Sequence, residues 1–250
     1  MKKLFAMMMG LLMMMMATAS AEGMTPIQLS DGKIQAEGAG IQTEGSTVTI
    51  SQPGDYLISG SLSNGQIRVD CKEAGKVTLF LNGVNVHNGM GPAIWIGECA
   101  PRAVISLVES TENRLSDGTE LVFTDVDEPD GVIFSRSDLT VSGNGSLEVQ
   151  AGAMNGIVSK DDLKIEGGKI RVTVPNHGIK GKDFVEISCG ELTIQAGRDG
   201  IKSTNKKDPD RGYVAISGGN IHITCGDDAL SFESRLSTTG GSVNVQKTAE

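Results

Sequence analysis

Aromatic residues and positive charge are both scarce in this sequence. One Trp, two Tyr and six Phe occur among 250 residues, whereas glycine occurs 33 times. That balance is typical of a chain with recurring turns whose interior is filled by Val, Ile and Leu. Lysine and arginine total 22 against 31 acidic residues, a net charge of −9. Because no basic face can dominate the field of such a protein, we expect no nucleic-acid partner.

Long apolar runs are absent after residue 21, so no membrane segment is predicted there. Residues 1–21 have the pattern of a cleaved signal peptide: a basic start at Lys2 and Lys3, an apolar run over residues 4–16, and small residues at 19–21. We therefore expect a secreted protein, extracellular or associated with the cell envelope. Loss of the two leader lysines takes the net charge from −9 to −11, which favours cation binding.

Helical periodicity is also absent, and short alternating strands recur instead between residues 131 and 246. Each block opens with Gly, or with Ala229, and continues as strand, glycine turn and strand. The first strands of the blocks begin, at intervals of 24, 22, 29 and 22 residues, at Leu139, Leu163, Val185, Val214 and Leu236. A recurrence of this length predicts an all-β solenoid with coils of about 22–29 residues, because one such coil buries its apolar side chains only by stacking on the next.

The solenoid divides into three predicted parts within one domain. Residues 22–66 are expected to form N-terminal coils and a cap that covers the open sheet edge. Residues 67–130 carry longer coils and end in an acidic connection, and residues 131–250 carry the regular repeats. Equivalent residues of successive coils are expected to lie about 4.8 Å apart, so a column in the sequence becomes a row on the surface.

Cysteine and histidine are few. The cysteines contain no Cys-x-x-Cys pair of the kind that binds metals. Aligned repeats put Cys71 and Cys99 on adjacent coils, one position out of register, which leaves a disulfide between them open. Cys189 and Cys225 are expected to be separate buried thiols. The three histidines fall on different coils, so no Ser-His-Asp arrangement is visible.

A polar column precedes the opening residue of each block. Its members, all able to offer oxygen or nitrogen to a cation, are Asp130, Asn155, His177, Asp199 and Asp228. Stacked carboxylates repel one another unless a cation neutralises them, and Ca²⁺ accepts carboxylate and carbonyl oxygens in flexible geometry. This predicts a calcium site whose candidate ligands are Asp199, Asp227, Asp228, Asp183 and Asp161. Polar residues that only cap the turns are the alternative.

A basic column lies three positions before the first strand of four blocks. It comprises Arg136, Lys160, Lys182 and Arg211, and the aligned Lys180 and Lys202 extend the same surface. Four cations in successive coils would form a positive stripe about 15 Å long, suited to a linear polyanion. Solubilising side chains paired with neighbouring acids are the alternative. The single Trp95 alternates with Ile94 and Ile96 and so points away from them, either as a sugar-stacking platform or as an incidental exposed side chain.

Several segments carry a family resemblance that spans nearly the whole chain after the leader. They include GIVSKDDLKIEGGKI, GIKGKDFVEIS, DGIKSTNKKDPDRGYVAISGGNIHITCGDDAL and GDYLISGSLSNGQIRVDCKEAGKVTLFLNG. Together they resemble the bacterial carbohydrate-binding β-helix family, which is pectate-lyase-like and was formerly grouped as a domain of unknown function. The resemblance implies a right-handed parallel β-helix, bound calcium, and binding of acidic plant polysaccharide such as polygalacturonate, or of cellulose. This chain departs from the family pattern with Ala229 and Leu230 in place of Gly and Ile, and further coils or a cap would be expected after Glu250.

The favoured function is that of a secreted binding protein in which calcium bridges to the polysaccharide carboxylates and the basic column complements the remaining charge. The alternative is a calcium-dependent polysaccharide lyase acting by β-elimination, with Lys182, Lys180 or Arg211 as the base. A structural or adhesion protein is a third hypothesis. A glycoside hydrolase is less favoured, since the candidate carboxylates Asp161 and Asp183 lie on one face rather than across a cleft.

Overall fold

The computed structural model describes residues 23–99, 101–119 and 129–248. The predicted leader and most of the acidic connection lie outside the described residues. All regular elements in the described ranges are strands, which confirms the all-β class. They are β1 (Thr25–Leu29), β2 (Gln35–Ala36), β3 (Ile41–Glu44), β4 (Thr47–Ile50), β5 (Gly54–Leu62), β6 (Gln66–Cys71), β7 (Val77–Asn88), β8 (Ile94–Cys99), β9 (Ala103–Leu107), β10 (Glu112–Asp117), β11 (Gly131–Ser135), β12 (Leu139–Gly143), β13 (Ser146–Gln150), β14 (Asn155–Ser159), β15 (Asp162–Val174), β16 (Ile179–Gly181), β17 (Phe184–Ala196), β18 (Ile201–Ser203), β19 (Tyr213–Ile216), β20 (Asn220–Cys225), β21 (Leu230–Ser231), β22 (Leu236–Thr238) and β23 (Ser242–Lys247).

The described strands form two sheets. The smaller sheet has nine strands in the order β21-β18-β16-β14-β11-β8-β6-β4-β3, and the larger has fourteen, with β2-β1-β5-β7-β10-β13-β15-β17-β19-β22 as its main path. Among the described residues only β1–β2 and β3–β4 pair antiparallel. Every other pairing is parallel, so each repeat contributes one strand to the smaller sheet and stacks on the repeat before it.

The register of the larger sheet confirms the repeat alignment. Leu139 pairs with Leu163, Leu163 with Val185, Val185 with Val214, and Val214 with Leu236. These are the residues that the 22–29-residue spacing predicts as vertical neighbours. A slip of one residue would turn every apolar side chain outward, so burial fixes the register.

The core lies between the two sheets and is built from columns of branched aliphatic residues. In the smaller sheet one column consists of isoleucines that are all fully buried, namely Ile67, Ile94, Ile133, Ile157, Ile179 and Ile201. Burial of each such side chain stabilises the fold by about 1.5–3 kcal/mol. On β6, β8, β16 and β18 residues that alternate with them, such as Arg68, Trp95, Lys180 and Lys202, are partly exposed on the outer face, whereas Phe134 on β11 and Val158 on β14 are also buried.

The glycines that open successive repeats are required by close packing between repeats. A Cβ atom on Gly178 would lie 2.6 Å from the carbonyl oxygen of Gly200, and one on Gly200 would lie 2.8 Å from that of Ala229. Each would also overlap an isoleucine methyl group of the larger sheet. The repeated glycine therefore lets the turn of one repeat approach the backbone of the next.

Candidate functional site

The polar column is stacked as predicted. The backbone carbonyls of Asp130, His177, Asp199 and Asp228 each accept an N–H from a neighbouring repeat at 2.8–3.1 Å. Each of these residues therefore lies beside its equivalent one repeat away. Asp199 and Asp228 are adjacent along the stack.

The side chains of the polar column bond to one another's backbone. The Asn155 amide donates to the Asp130 carbonyl at 2.7 Å and to its carboxylate at 3.0 Å, and Asn155 Oδ1 accepts the N–H of His177 at 3.0 Å. His177 Nδ1 accepts the N–H of Asp199 at 3.3 Å, and Asp199 Oδ1 accepts the N–H of Asp228 at 3.0 Å. This ladder caps the turns, which is the role given as the alternative to metal binding.

Charge in the ladder is balanced by the protein itself. Lys202 Nζ donates to Asp199 Oδ2 at 2.6 Å, and Arg198 lies 3.3 Å from Asp227. Burial raises the pKa of Asp199, but the hydrogen bonds from Lys202 and from the Asp228 amide outweigh it and hold that pKa below its usual value. Burial lowers the pKa of His177 to about 4. The His177 ring is therefore neutral at pH 7, and its 3.1 Å contact with Asp199 is not an ion pair.

The basic column is stacked over three of its four members. The N–H of Lys160 bonds to the carbonyl that precedes Arg136, and the N–H of Lys182 bonds to the carbonyl that precedes Lys160. Lys180 and Lys202 pair in register on β16 and β18. Asp130 neutralises part of this surface, since it lies 3.6 Å from Lys160 and 2.7 Å from Lys180.

The fourth member, Arg211, leaves the column because of the insertion at residues 204–211. Its guanidinium forms an ion pair with Asp183 and lies 3.6 Å from Asp161 and 3.8 Å from Asp162. Asn205 donates to the other oxygen of Asp183 at 2.6 Å. Asp183, with 6% of its side chain exposed, therefore anchors the insertion.

Three carboxylates from two neighbouring repeats meet beside this insertion. One oxygen each of Asp138, Asp161 and Asp162 lies within 4.8 Å of the other two; we call this group the acidic cluster. Burial, and next the negative charge of Asp138, raise the pKa of both Asp161 and Asp162. Asp162 Oδ1 is buried without a hydrogen-bond partner in the described structure. Crowded oxygen ligands with raised pKa values suit a hard divalent cation.

Sequence reasoning identified only Asp161 of the acidic cluster. A signal for the others was present, because Asp138 and Asp162 directly precede Leu139 and Leu163, which pair in register. A cavity of about 380 Å³ adjoins the cluster and is lined by Asp138, Asp161, Arg136 and other residues. The arrangement can therefore hold a cation next to a space large enough for part of a ligand.

Two cysteine predictions need correction. A bulge after Val69 brings Cys71 and Cys99 into register, not one position apart. Both are buried free thiols, and burial raises the pKa of Cys99 to about 11. Cys225 is buried as predicted, but Cys189 is exposed, because it follows the point where the register of β15 and β17 shifts.

Comparison with known proteins gives the family. The model of the carbohydrate-binding domain-containing protein family matches residues 44–250. The chain belongs to this family. A carbohydrate-binding domain-containing protein of Acetivibrio thermocellus is 39% identical over 222 residues, which cover 88% of this chain and 77% of that protein.

A solved structure also resembles this one closely. It is described as the gadolinium derivative of the polysaccharide lyase-like protein from C. thermocellum, and it has a TM-score of 0.79 and 37% identity, over 90% of this chain and 95% of that one. The described residues contain no helix long and apolar enough to cross a membrane. The chain is therefore a member of a carbohydrate-binding domain family and has a polysaccharide lyase-like structural neighbour.

Proposed function

We propose that the chain is a secreted, right-handed parallel β-helix protein that binds acidic polysaccharide through bridging calcium. The family membership supports a polysaccharide ligand. Parallel pairing of each strand with its equivalent in the next repeat supports the helical winding, and parallel crossovers are right-handed in nearly all proteins. The sequence of residues 1–21 supports export.

The acidic cluster is the observation that carries the calcium proposal. Three carboxylates within 4.8 Å of one another repel unless a cation joins them. Of the acids predicted from the sequence, Asp199 already bonds Lys202, Asp227 lies beside Arg198, and Asp183 is bound by the insertion. Asp228 belongs to no group of three close metal-ligating side chains among the described residues. We therefore assign the ion to Asp138, Asp161 and Asp162, which would supply oxygen ligands and leave coordination positions for a uronate carboxylate.

The basic residues complete the proposed site. Arg136 lines the cavity beside the acidic cluster, so it can bond the sugar acid whose second oxygen binds the ion. Lys182 follows along the stack and can complement a carboxylate further along a linear chain, whereas Lys160, Lys180 and Lys202 are already paired with Asp130 and Asp199. A net charge of −9 repels polyanions at long range, so binding needs such local positive charge.

The test is titration of polygalacturonate into the protein in calcium and in excess EDTA. Binding is expected only with calcium, and the double variant Asp138→Asn, Asp161→Asn should lose calcium and polysaccharide affinity together, by about tenfold or more. Asp227→Asn, which alters an exposed acid outside the cluster, is the matched control. Equal affinity for polygalacturonate in calcium and in EDTA would remove calcium bridging from the proposal.

A lyase is the second candidate, because the similar structure is described as polysaccharide lyase-like. β-Elimination requires a neutral base near the sugar carbon that loses its proton. Lys180 lies 2.7 Å from Asp130, and Arg211 is paired with Asp183, so both side chains are held in ion pairs within the protein. Incubation with polygalacturonate and calcium should therefore produce no ultraviolet absorbance from an unsaturated sugar, and a rise in absorbance would favour the lyase.

A further inference from the structure

A second polar cavity, far along the chain from the acidic cluster, lies on the outer face of the smaller sheet. It has a volume of about 590 Å³, within the range of ligand sites in proteins. Its lining includes Asn64, Gln66, Arg68, Asn88, Met90 and Trp95. Val69, Ile94 and their neighbours in the sheet are buried, so the alternating Arg68 and Trp95 face outward.

Arg68 and Trp95 form the wall of this cavity. They pair in register on β6 and β8, and the Arg68 guanidinium lies 3.8 Å from the centre of the Trp95 ring. This cation–π contact holds the guanidinium in place, so less side-chain entropy is lost when it binds an anion. Among the described residues the acid paired with it is Asp70, 3.9 Å away, a long contact that leaves most of the five guanidinium N–H donors for a ligand.

The chemistry of the lining matches an acidic sugar. The guanidinium fork of Arg68 can bond a carboxylate with two parallel hydrogen bonds. The indole of Trp95 and the side chain of Met90, which is 83% exposed, provide apolar surface for the C–H groups of a pyranose ring. Side-chain amides at Asn64 and Gln66 provide the donors and acceptors that sugar hydroxyls require.

We infer that this cavity is a calcium-independent subsite for a uronate unit of the polysaccharide, with Arg68 binding the carboxylate and Trp95 packing against the ring. The inference rests on the proposed function only in taking a polysaccharide as the ligand. It needs no metal and no residue of the acidic cluster. A linear chain bound here and at the cluster would contact repeats on both sides of the acidic connection.

Trp95 is the single tryptophan of the chain, so its emission reports on this cavity. Galacturonate oligosaccharides titrated in excess EDTA should change that emission saturably. Arg68→Gln should weaken the calorimetric affinity for the oligosaccharide about tenfold or more, and Arg68→Lys, which keeps charge but not the fork, should weaken it less. Arg235→Gln is the matched control, because Arg235 stacks on Tyr213 at 4.2 Å on the larger sheet in the same way.

Three results would overturn the inference. Unchanged Trp95 emission, with calcium-dependent polygalacturonate binding intact, would eliminate the subsite and leave the proposed function standing. An equal response to neutral cello-oligosaccharides would contradict recognition of the carboxylate by Arg68. Failure of the protein to bind any uronate, with or without calcium, would remove the proposed function and the subsite together.

Discussion

Two acid-rich regions of this protein are built from the same repeats and yet differ in how their charge is balanced. At Asp199 the carboxylate is buried, bonded by Lys202 and by the backbone of the next repeat, and its pKa is lowered. In the acidic cluster the pKa values of Asp161 and Asp162 are raised, since burial and mutual repulsion exceed the help from Arg211. The first region holds the fold together, whereas the second is the proposed cation site.

This difference shows that a column of acids in the sequence predicts which residues stack. It does not predict whether they cap turns or bind a cation. The lysine that neutralises Asp199 comes from three positions further along the same repeat, where its length lets it fold back on the carboxylate. Asp138 and Asp161 lie against an open cavity instead, and Arg211, whose closest ion pair is with Asp183, only partly offsets the charge of Asp161 and Asp162. We therefore expect cation binding only where no lysine or arginine side chain already neutralises the carboxylates.

The largest expected effect on stability is at Asp199, in the hydrogen-bonded ladder of the polar column. Asp199→Ala removes the acceptor for the Asp228 N–H and leaves Lys202 without its partner, so we expect the free energy of unfolding to fall by about 1–3 kcal/mol. Urea denaturation at pH 7 measures this. Asp227→Ala, an exposed acid in the same region, should change stability by less than about 0.5 kcal/mol. Similar losses in the two variants would show that the ladder contributes nothing specific.

A change of opposite sign is expected in the acidic cluster. Asp162→Asn removes a repelling charge from a half-buried site, so without calcium the free energy of unfolding should rise by up to about 1 kcal/mol. With calcium present the order should reverse, because only the unaltered protein gains the binding energy of the ion. Urea denaturation of the variant and the unaltered protein, once in EDTA and once in calcium, tests both expectations. A variant that is less stable in EDTA would contradict the idea of uncompensated repulsion.

The smallest expected effect is the pH dependence, and its sign separates the two regions. The pKa of Asp199 lies below the usual 3.8, so its contribution is present above 3.8 and is lost as the pH falls through its folded pKa. The pKa values of Asp161 and Asp162 lie above 3.8. Lowering the pH through those values therefore relieves a destabilisation and also weakens calcium binding.

Calorimetric titration of calcium at a series of pH values checks the second part. Affinity should begin to fall at a higher pH than it does for ordinary carboxylates. Asp138→Asn should move that fall to lower pH, since the charge of Asp138 contributes to the raised pKa values. A fall in affinity that is unaffected by Asp138→Asn would place the calcium ligands elsewhere.

The sequence predicted the stacking well, because glycine spacing and apolar alternation leave only one register that buries the core. The pairing of Leu139 with Leu163 and Val185 follows directly from that rule. The positions of the charged groups at the ends of long side chains could not be predicted from the same rule. The backbone fixes where Arg211 starts, but its flexible side chain and the insertion decide that it reaches Asp183 and Asp161.

Local irregularity explains the remaining errors. A bulge near Cys71 shifts the pairing by one residue, and no composition signal marked it. The neutralisation of Asp199 by Lys202 also escaped prediction, although a lysine three residues after an acid is visible in the sequence. The predicted leader and most of the acidic connection lie outside the described residues and remain predictions.

The central claim is that calcium binds at the acidic cluster and not at the polar column. A crystal of the protein soaked in calcium, with the ion located from its anomalous scattering, tests this most directly. The account predicts an ion about 2.3–2.6 Å from oxygens of Asp138, Asp161 and Asp162. An ion held instead by Asp199, Asp227 and Asp228, or no bound ion at all, would contradict it.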